Sequence, residues 1–185
     1  MPSGNGHKGT SIMRIRALAS AGLFLVALCG GQAQAAPDNG FGFYAGALSS
    51  RDSSLYGNSN GGLVAVDAQF VLSQGWSFNP YLLLDSESTN QSFDVENGEG
   101  GLQARYWIDD AFVAPQFLFH DTLLKKGSTV SSSLYGPGIG LAAGWEADSH
   151  WTVMLAANVF RLVGSYGSSA TTRSEAMLLL GYRWK

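Results

Sequence analysis

The sequence predicts an all-β fold: an eight-stranded antiparallel up-and-down transmembrane β-barrel, with short turns at one end and long loops at the other. Three observations carry that expectation. Apolar residues recur at every second position through most of the chain, and helical periodicity is hard to find. The joins between alternating segments are themselves alternately short and long. The five tryptophans all flank short joins or the last residues, and none lies in a long loop.

The front of the chain reads differently from the rest. From Met13, Arg14 and Arg16 supply a positive segment, Ala17 to Leu28 an apolar one, and Ala33-Gln34-Ala35 a small-residue cleavage site. That order is a secretory signal peptide, and its apolar run falls short of the roughly 20 residues of a spanning helix. Residues 1–35 are therefore expected to be an upstream extension plus a cleaved signal peptide, and 36–185 one barrel domain. The stretch "GNGHKGT" before Met13 has neither the order nor the context of a phosphate loop. The one cysteine, Cys29, falls in the leader, so no disulfide or thiol chemistry is expected. Leu28 stands where a lipidation signal wants a small residue. Cleavage removes Lys8, Arg14 and Arg16 and no acid, leaving 8 basic against 14 acidic residues and a net charge of −6. Nucleic acid is not an expected partner for such a chain.

The strands follow in order. Phe41 to Ser49 is the first. In the second, Val64, Val66, Ala68, Phe70 and Leu72 alternate with Ala65, Asp67, Gln69 and Val71. In the third, Trp76, Phe78, Pro80, Leu82 and Leu84 oppose Ser77, Asn79, Tyr81 and Asp85. The fourth sets Leu102, Ala104 and Tyr106 against Gln103, Arg105 and Trp107, and the fifth Val113, Pro115, Phe117 and Phe119 against Ala114, Gln116 and His120. The sixth sets Tyr135, Ile139, Leu141, Ala143 and Trp145 against three glycines and Glu146, and the seventh Val153, Leu155, Ala157 and Val159 against Thr152, Met154 and Asn158. The eighth, Ser174 to Trp184, puts Ala176, Leu178, Leu180, Tyr182 and Trp184 on one face. Short turns are expected at Gln74-Gly75, Asp109-Asp110 and Ala147–Ser149, and long loops near 50–61, 86–98, 121–134 and 161–173. Pro80, Pro115 and Pro137 each remove a ladder donor inside a strand, so bulges are expected there, or strand limits slightly different from these.

Indole prefers the boundary between hydrocarbon and water. Trp76, Trp107, Trp145, Trp151, Tyr182 and Trp184 therefore form an expected interfacial aromatic girdle at the short-turn end. A soluble barrel could also carry tryptophan near its turns, but it would have no use for an apolar outer face.

A signal peptide, eight alternating strands and a last strand reading "AMLLLGYRW" resemble the small outer-membrane barrels of Gram-negative bacteria, the OmpA, OmpX and OmpW type. The resemblance implies short periplasmic turns, long extracellular loops, and contact with outer-membrane lipid and lipopolysaccharide. It also implies recognition of the last strand by the barrel-assembly machinery, although here Lys185 follows the final aromatic. The implied role is structural or loop-mediated surface contact, with an OmpW-like conduit for small apolar solutes as one alternative. The loop ligand is not legible; the pairs Lys125-Lys126 and Arg161/Arg173 suggest lipopolysaccharide phosphates.

By alternation, Asp67, Asp85, Arg105, His120, Glu146, Glu175 and Arg183 face the lumen, together with Gln69, Gln103, Gln116 and Asn158. Eight strands enclose only enough room for side chains, and buried charges need partners. These residues are the expected ion-pair plug, with Arg105 and Arg183 answering Asp67, Glu146 or Glu175. A second alternative is a lipid A-modifying enzyme, in which His120 would be the base and a serine the nucleophile. The resemblance to lipid A deacylases would need His-x-Ser-Asn on the seventh strand, which reads "LAANVFRL" with Asn158 and Phe160 at the key positions. No catalytic residue is assigned. No His/Cys/Asp/Glu set shows metal-ligand spacing in sequence, and no cofactor or metal is expected. His150, beside Trp151, reads as an interfacial surface histidine.

Overall fold

The computed structural model describes residues 38–53, 57–73, 75–89, 94–126, 129–147, 150–164 and 170–184. The expected leader and its cleavage site lie outside them. Eight strands form: β1 (Gly40–Asp52), β2 (Asn58–Ser73), β3 (Trp76–Thr89), β4 (Asp94–Ile108), β5 (Ala111–Lys126), β6 (Thr129–Glu146), β7 (Trp151–Gly164) and β8 (Thr171–Trp184). Each pairs antiparallel with the next, and β1 closes on β8 from Phe41↔Trp184 to Asp52↔Arg173. The expected fold class is present.

Side chains obey the two-residue period of extended backbone. In β7 every residue from Thr152 to Gly164 at even positions is buried, and every odd one is exposed. The outward set includes Phe41, Val64, Leu82, Phe117, Leu155 and Leu180, all exposed. The inward set carries most of the charge, including Arg105, Arg173 and Arg183, all fully buried. This is a soluble protein turned inside out, and monomers in water rarely expose an apolar patch beyond a few hundred Å².

The structure corrects the long loops. The segments between strands at that end are only 53–57, 90–93, 127–128 and 165–170. Most of the expected loop sequence is strand, and strands of 13 to 18 residues exceed the roughly 9–11 that cross a bilayer. Ser49, Arg51, Ser86, Ser88, Glu96, Asp121, Arg161 and Ser174 face outward there, so the outer wall turns polar above the apolar band.

The expected bulges at the prolines are also absent. Pairing of β2 with β3 passes from Asp67↔Tyr81 to Phe70↔Phe78 in one register across Pro80. The β4–β5 ladder likewise keeps register from Gln103↔Gln116 to Tyr106↔Val113 across Pro115, and β6–β7 from Tyr135↔Val163 to Gly138↔Phe160 across Pro137. Each proline stays paired to its other neighbour, at Leu102, Leu141 and Phe119. A missing donor interrupts one ladder locally without shifting it. The register shifts fall elsewhere, at Val71/Ser73 and Leu124/Lys125.

The expected short turns are present, and each contains a left-handed residue: Gly75 (φ 79°), Asp109 (φ 53°) and His150 (φ 70°). Glycine adopts this region freely, and Asp and His are enriched there among other residues.

Leu155 lies near mid-height of the apolar band, whereas Leu72 lies near the aromatic end of β2. Leu155→Arg should cost about 2–4 kcal/mol and Leu72→Arg only about 0–1 kcal/mol. Equilibrium unfolding in lipid vesicles measures both; equal costs would contradict the placement.

Candidate functional site

Trp76, Trp145, Trp151 and Trp184 are exposed on the outer wall at the short-turn end, and Tyr182 is half-buried among them. Tyr182 meets Trp151 edge-on at 5.5 Å and Trp184 at 5.1 Å, and Trp76 tilts against Tyr106 at 4.9 Å. Trp107 does not belong to this belt. It is fully buried in the lumen, its Nε1 donating to Ser77 Oγ at 2.9 Å and its ring 4.8 Å from Phe112. Its even-spaced neighbours Gln103 and Arg105 face inward, so strand parity overrides the interfacial preference of indole.

The lumen holds two polar layers. At the short-turn end, Arg105 pairs with Asp67 at 2.5 Å, and Arg183 pairs with Glu146 at 2.9 Å and Asp67 at 3.4 Å. Tyr44 Oη accepts from Arg183 at 2.7 Å and donates to Asp67 at 3.1 Å. Arg105 also donates to Gln103 Oε1 at 2.9 Å and lies 4.6 Å above the Phe112 ring. The Tyr44 ring fits because residue 181 is glycine: a Cβ there would stand 2.2 Å from the ring. Two guanidinium groups answer two carboxylates, so this layer is neutral.

Next comes an apolar belt containing Ala65, Leu83, Met154, Ala156, Met177 and Leu179, around a cavity of about 20 Å³. That volume holds about one water.

The second layer lies toward the opposite end. Arg173 pairs with Glu87 and, at 2.5 Å, with Glu175. Glu87 also accepts from Ser50 at 2.5 Å, Ser59 at 2.6 Å and Asn97 at 2.6 Å. Asn97 donates to Asp85 at 2.5 Å. Tyr81 donates to Glu99 at 2.7 Å, and Thr122 Oγ1 lies 2.7 Å from His120 Nε2. His120 packs on Phe160 at 4.6 Å, and Phe160 lies against Gly138, where a Cβ would approach within 2.2 Å.

All seven expected lumen residues are therefore inside, and Arg105 and Arg183 answer Asp67 and Glu146 as expected; one partner differs. Glu175 is answered by Arg173 rather than by Arg105 or Arg183. Arg173, expected in a loop, is buried and cannot meet lipopolysaccharide. Glu87, Asn97 and Glu99 were missed for the same reason: their segments lack apolar alternation because the strands leave lipid there. His120, the base in the enzyme alternative, faces a threonine in the lumen, and among the described residues no serine hydroxyl bonds to it. His150 sits at the turn with its ring 5.9 Å from Tyr182.

No protein-family model matches the sequence, and no curated protein does. Solved structures do. The attachment invasion locus protein Ail of Yersinia pestis superposes with a TM-score of 0.58 at 11% identity, over 80% of this chain and 100% of Ail. Neisserial surface protein A matches at 0.57 and 14% identity, over 78% of this chain and 97% of its own. The fold is that of the small outer-membrane barrels. A second Ail structure, in complex with the heparin analogue sucrose octasulfate, matches at 0.50 and 12% identity, over 80% of this chain and 100% of that one.

Asp67 is shared by two buried arginines. Asp67→Asn leaves Arg105 without a counter-charge and Arg183 with Glu146 alone, and removing one partner of a buried pair costs about 3–5 kcal/mol. Urea unfolding of the folded barrel measures it; a change below about 1 kcal/mol would mean that water already solvates this layer.

Proposed function

We propose that this chain is an exported outer-membrane barrel, freed of its leader before Ala36, whose role is structural or surface contact rather than transport or catalysis. The observation that carries this reading is the filled lumen: Arg105, Trp107, Phe160, Arg173 and Arg183 are all fully buried inside it. A conduit for apolar solutes needs an open interior, and a cavity of about 20 Å³ supplies none. The deacylase alternative needs a nucleophile that reaches lipid, and Thr122 and His120 are fully buried in the lumen.

The outer wall suits lipid and lipopolysaccharide. Its apolar band and aromatic belt match the two zones of a bilayer leaflet. Above the band, Arg51 and Arg161 point outward on strands that flank β8, opposite Ser174 and Thr172 respectively. Guanidinium groups there can hold lipid phosphates in bidentate fashion. Lys125 is already engaged by Glu96 at 2.6 Å. Insertion by the barrel-assembly machinery through the β8 strand belongs to the same reading, as does a surface role like those in the names of Ail and the Neisserial protein.

Fractionation with and without boiling, followed by planar-bilayer recording, tests it. The protein should appear in outer membranes, migrate differently before boiling, and give no stepwise conductance. Recovery from the soluble periplasm, or stable open-channel currents, would contradict it.

A further inference from the structure

The loop-side layer of the lumen is unbalanced among the described residues. Asp85, Glu87, Glu99 and Glu175 are buried there, against one guanidinium, Arg173, and one imidazole, His120. The short-turn layer shows that the same barrel can match its charges one for one. Buried carboxylates without a counter-charge are costly, so the excess calls for bound protons or a bound cation.

The geometry discriminates between them. Glu99, His120 and Glu175, from β4, β5 and β8, each offer a ligand atom, and these atoms lie within 4.8 Å of one another. Each of the three has one polar atom held and the other open. Glu99 Oε1 accepts from Tyr81 at 2.7 Å, while Oε2 has no hydrogen-bond partner. Glu175 Oε1 accepts from Arg173 at 2.5 Å, while Oε2 has none. His120 Nε2 meets Thr122 Oγ1 at 2.7 Å, while Nδ1 has none. Nδ1 stands 3.8 Å from the open Glu99 Oε2 and 3.8 Å from Glu175 Oε1, the oxygen that Arg173 also holds, so Glu175 reaches the site with the carboxylate whose Oε2 is open. A shared proton would draw such atoms to hydrogen-bond length, near 2.7–3.2 Å. Two ligands of one tetrahedral ion, each bonded at about 2.0–2.2 Å, stand roughly 3.3–3.6 Å apart, so Nδ1 and each of these oxygens need close in by only a few tenths of an ångström to share one.

We propose that Glu99, His120 and Glu175 bind a divalent first-row transition-metal ion inside the barrel, through His120 Nδ1 and one oxygen of each carboxylate. Tyr81, Arg173 and Thr122 then act as the outer shell that orients the three ligands, as such sites require. With Nε2–H donating to Thr122, Nδ1 presents its lone pair. One imidazole with two carboxylates suits zinc, cobalt or manganese; magnesium and calcium prefer all-oxygen sets of six or more. Two carboxylates neutralise the dication and relieve the acidic excess. Glu99 and His120 are cross-strand partners in the β4–β5 hairpin, and the ion ties that hairpin to β8 across the lumen, so its effect is structural. Sequence spacing could not reveal the site, because closure of the barrel is what brings β8 beside β4 and β5 across the lumen.

The inference does not depend on lipid contact: a soluble barrel with this lumen would bind the same ion. The full chain is extracted folded in detergent, stripped with a chelator and titrated with Co²⁺, following visible absorption. One Co²⁺ per chain should bind with new ligand-field bands, be displaced by Zn²⁺, and resist Mg²⁺ and Ca²⁺. His120→Gln should abolish the bands. Tyr81→Phe keeps all three ligands and should weaken binding roughly 10–100-fold. Migration before boiling verifies folding of each variant. If His120→Gln does not fold, the wild-type titration and Tyr81→Phe decide. No saturable Co²⁺ uptake by the folded wild type, or uptake unchanged by these substitutions, overturns the proposal.

Discussion

Backbone amides in hydrocarbon have no water to bond, so every strand that crosses must be paired on both sides. The rest of this structure depends on that constraint. It requires β1 to close on β8, which is why β8 carries an apolar outer face. Closure in turn imposes parity: once Phe41 lies opposite Trp184, every odd residue of β8 points inward and every even one outward. The apolar face must then meet lipid, and the charged residues have nowhere to go but the lumen.

Filling an eight-stranded lumen with arginines and aromatics demands space as well as charge. Glycines on the inner wall supply it, at 181 beneath Tyr44 and at 138 beside Phe160. Those rings in turn place the functional groups: Tyr44 bridges Arg183 and Asp67, and Phe160 holds the His120 ring. The two polar layers then diverge. The short-turn layer matches two arginines with two carboxylates, leaving only Asp67 Oδ1 and Arg183 Nη1 without a hydrogen-bond partner. The loop-side layer is rich in carboxylates, and Asp85, Glu99, His120 and Glu175 each keep an open atom there.

Much of this was legible in the sequence. Strand number, inward and outward faces, the three short turns and the seven lumen residues all follow from alternation, because lipid on one side and a packed lumen on the other leave a strong period of two. Legibility failed where that contrast disappears. Beyond the bilayer both faces of a strand are polar, so Glu87, Asn97 and Arg173 read as loop. Trp107 failed for a different reason: its neighbours' parity pointed inward, while its residue type and position near a turn pointed to the interface, and parity won. The prolines failed because removing one donor was weighed as a change of register, whereas each strand keeps a second, intact ladder.

The most direct test of the account is which tryptophans touch lipid. Variants retaining one tryptophan each are folded into bilayers, and their fluorescence is measured with brominated-chain lipids. Trp76, Trp145, Trp151 and Trp184 should be quenched, and Trp107 should not. Quenching of Trp107, or protection of the other four, would contradict the division between lipid-facing wall and filled lumen on which everything else here is built.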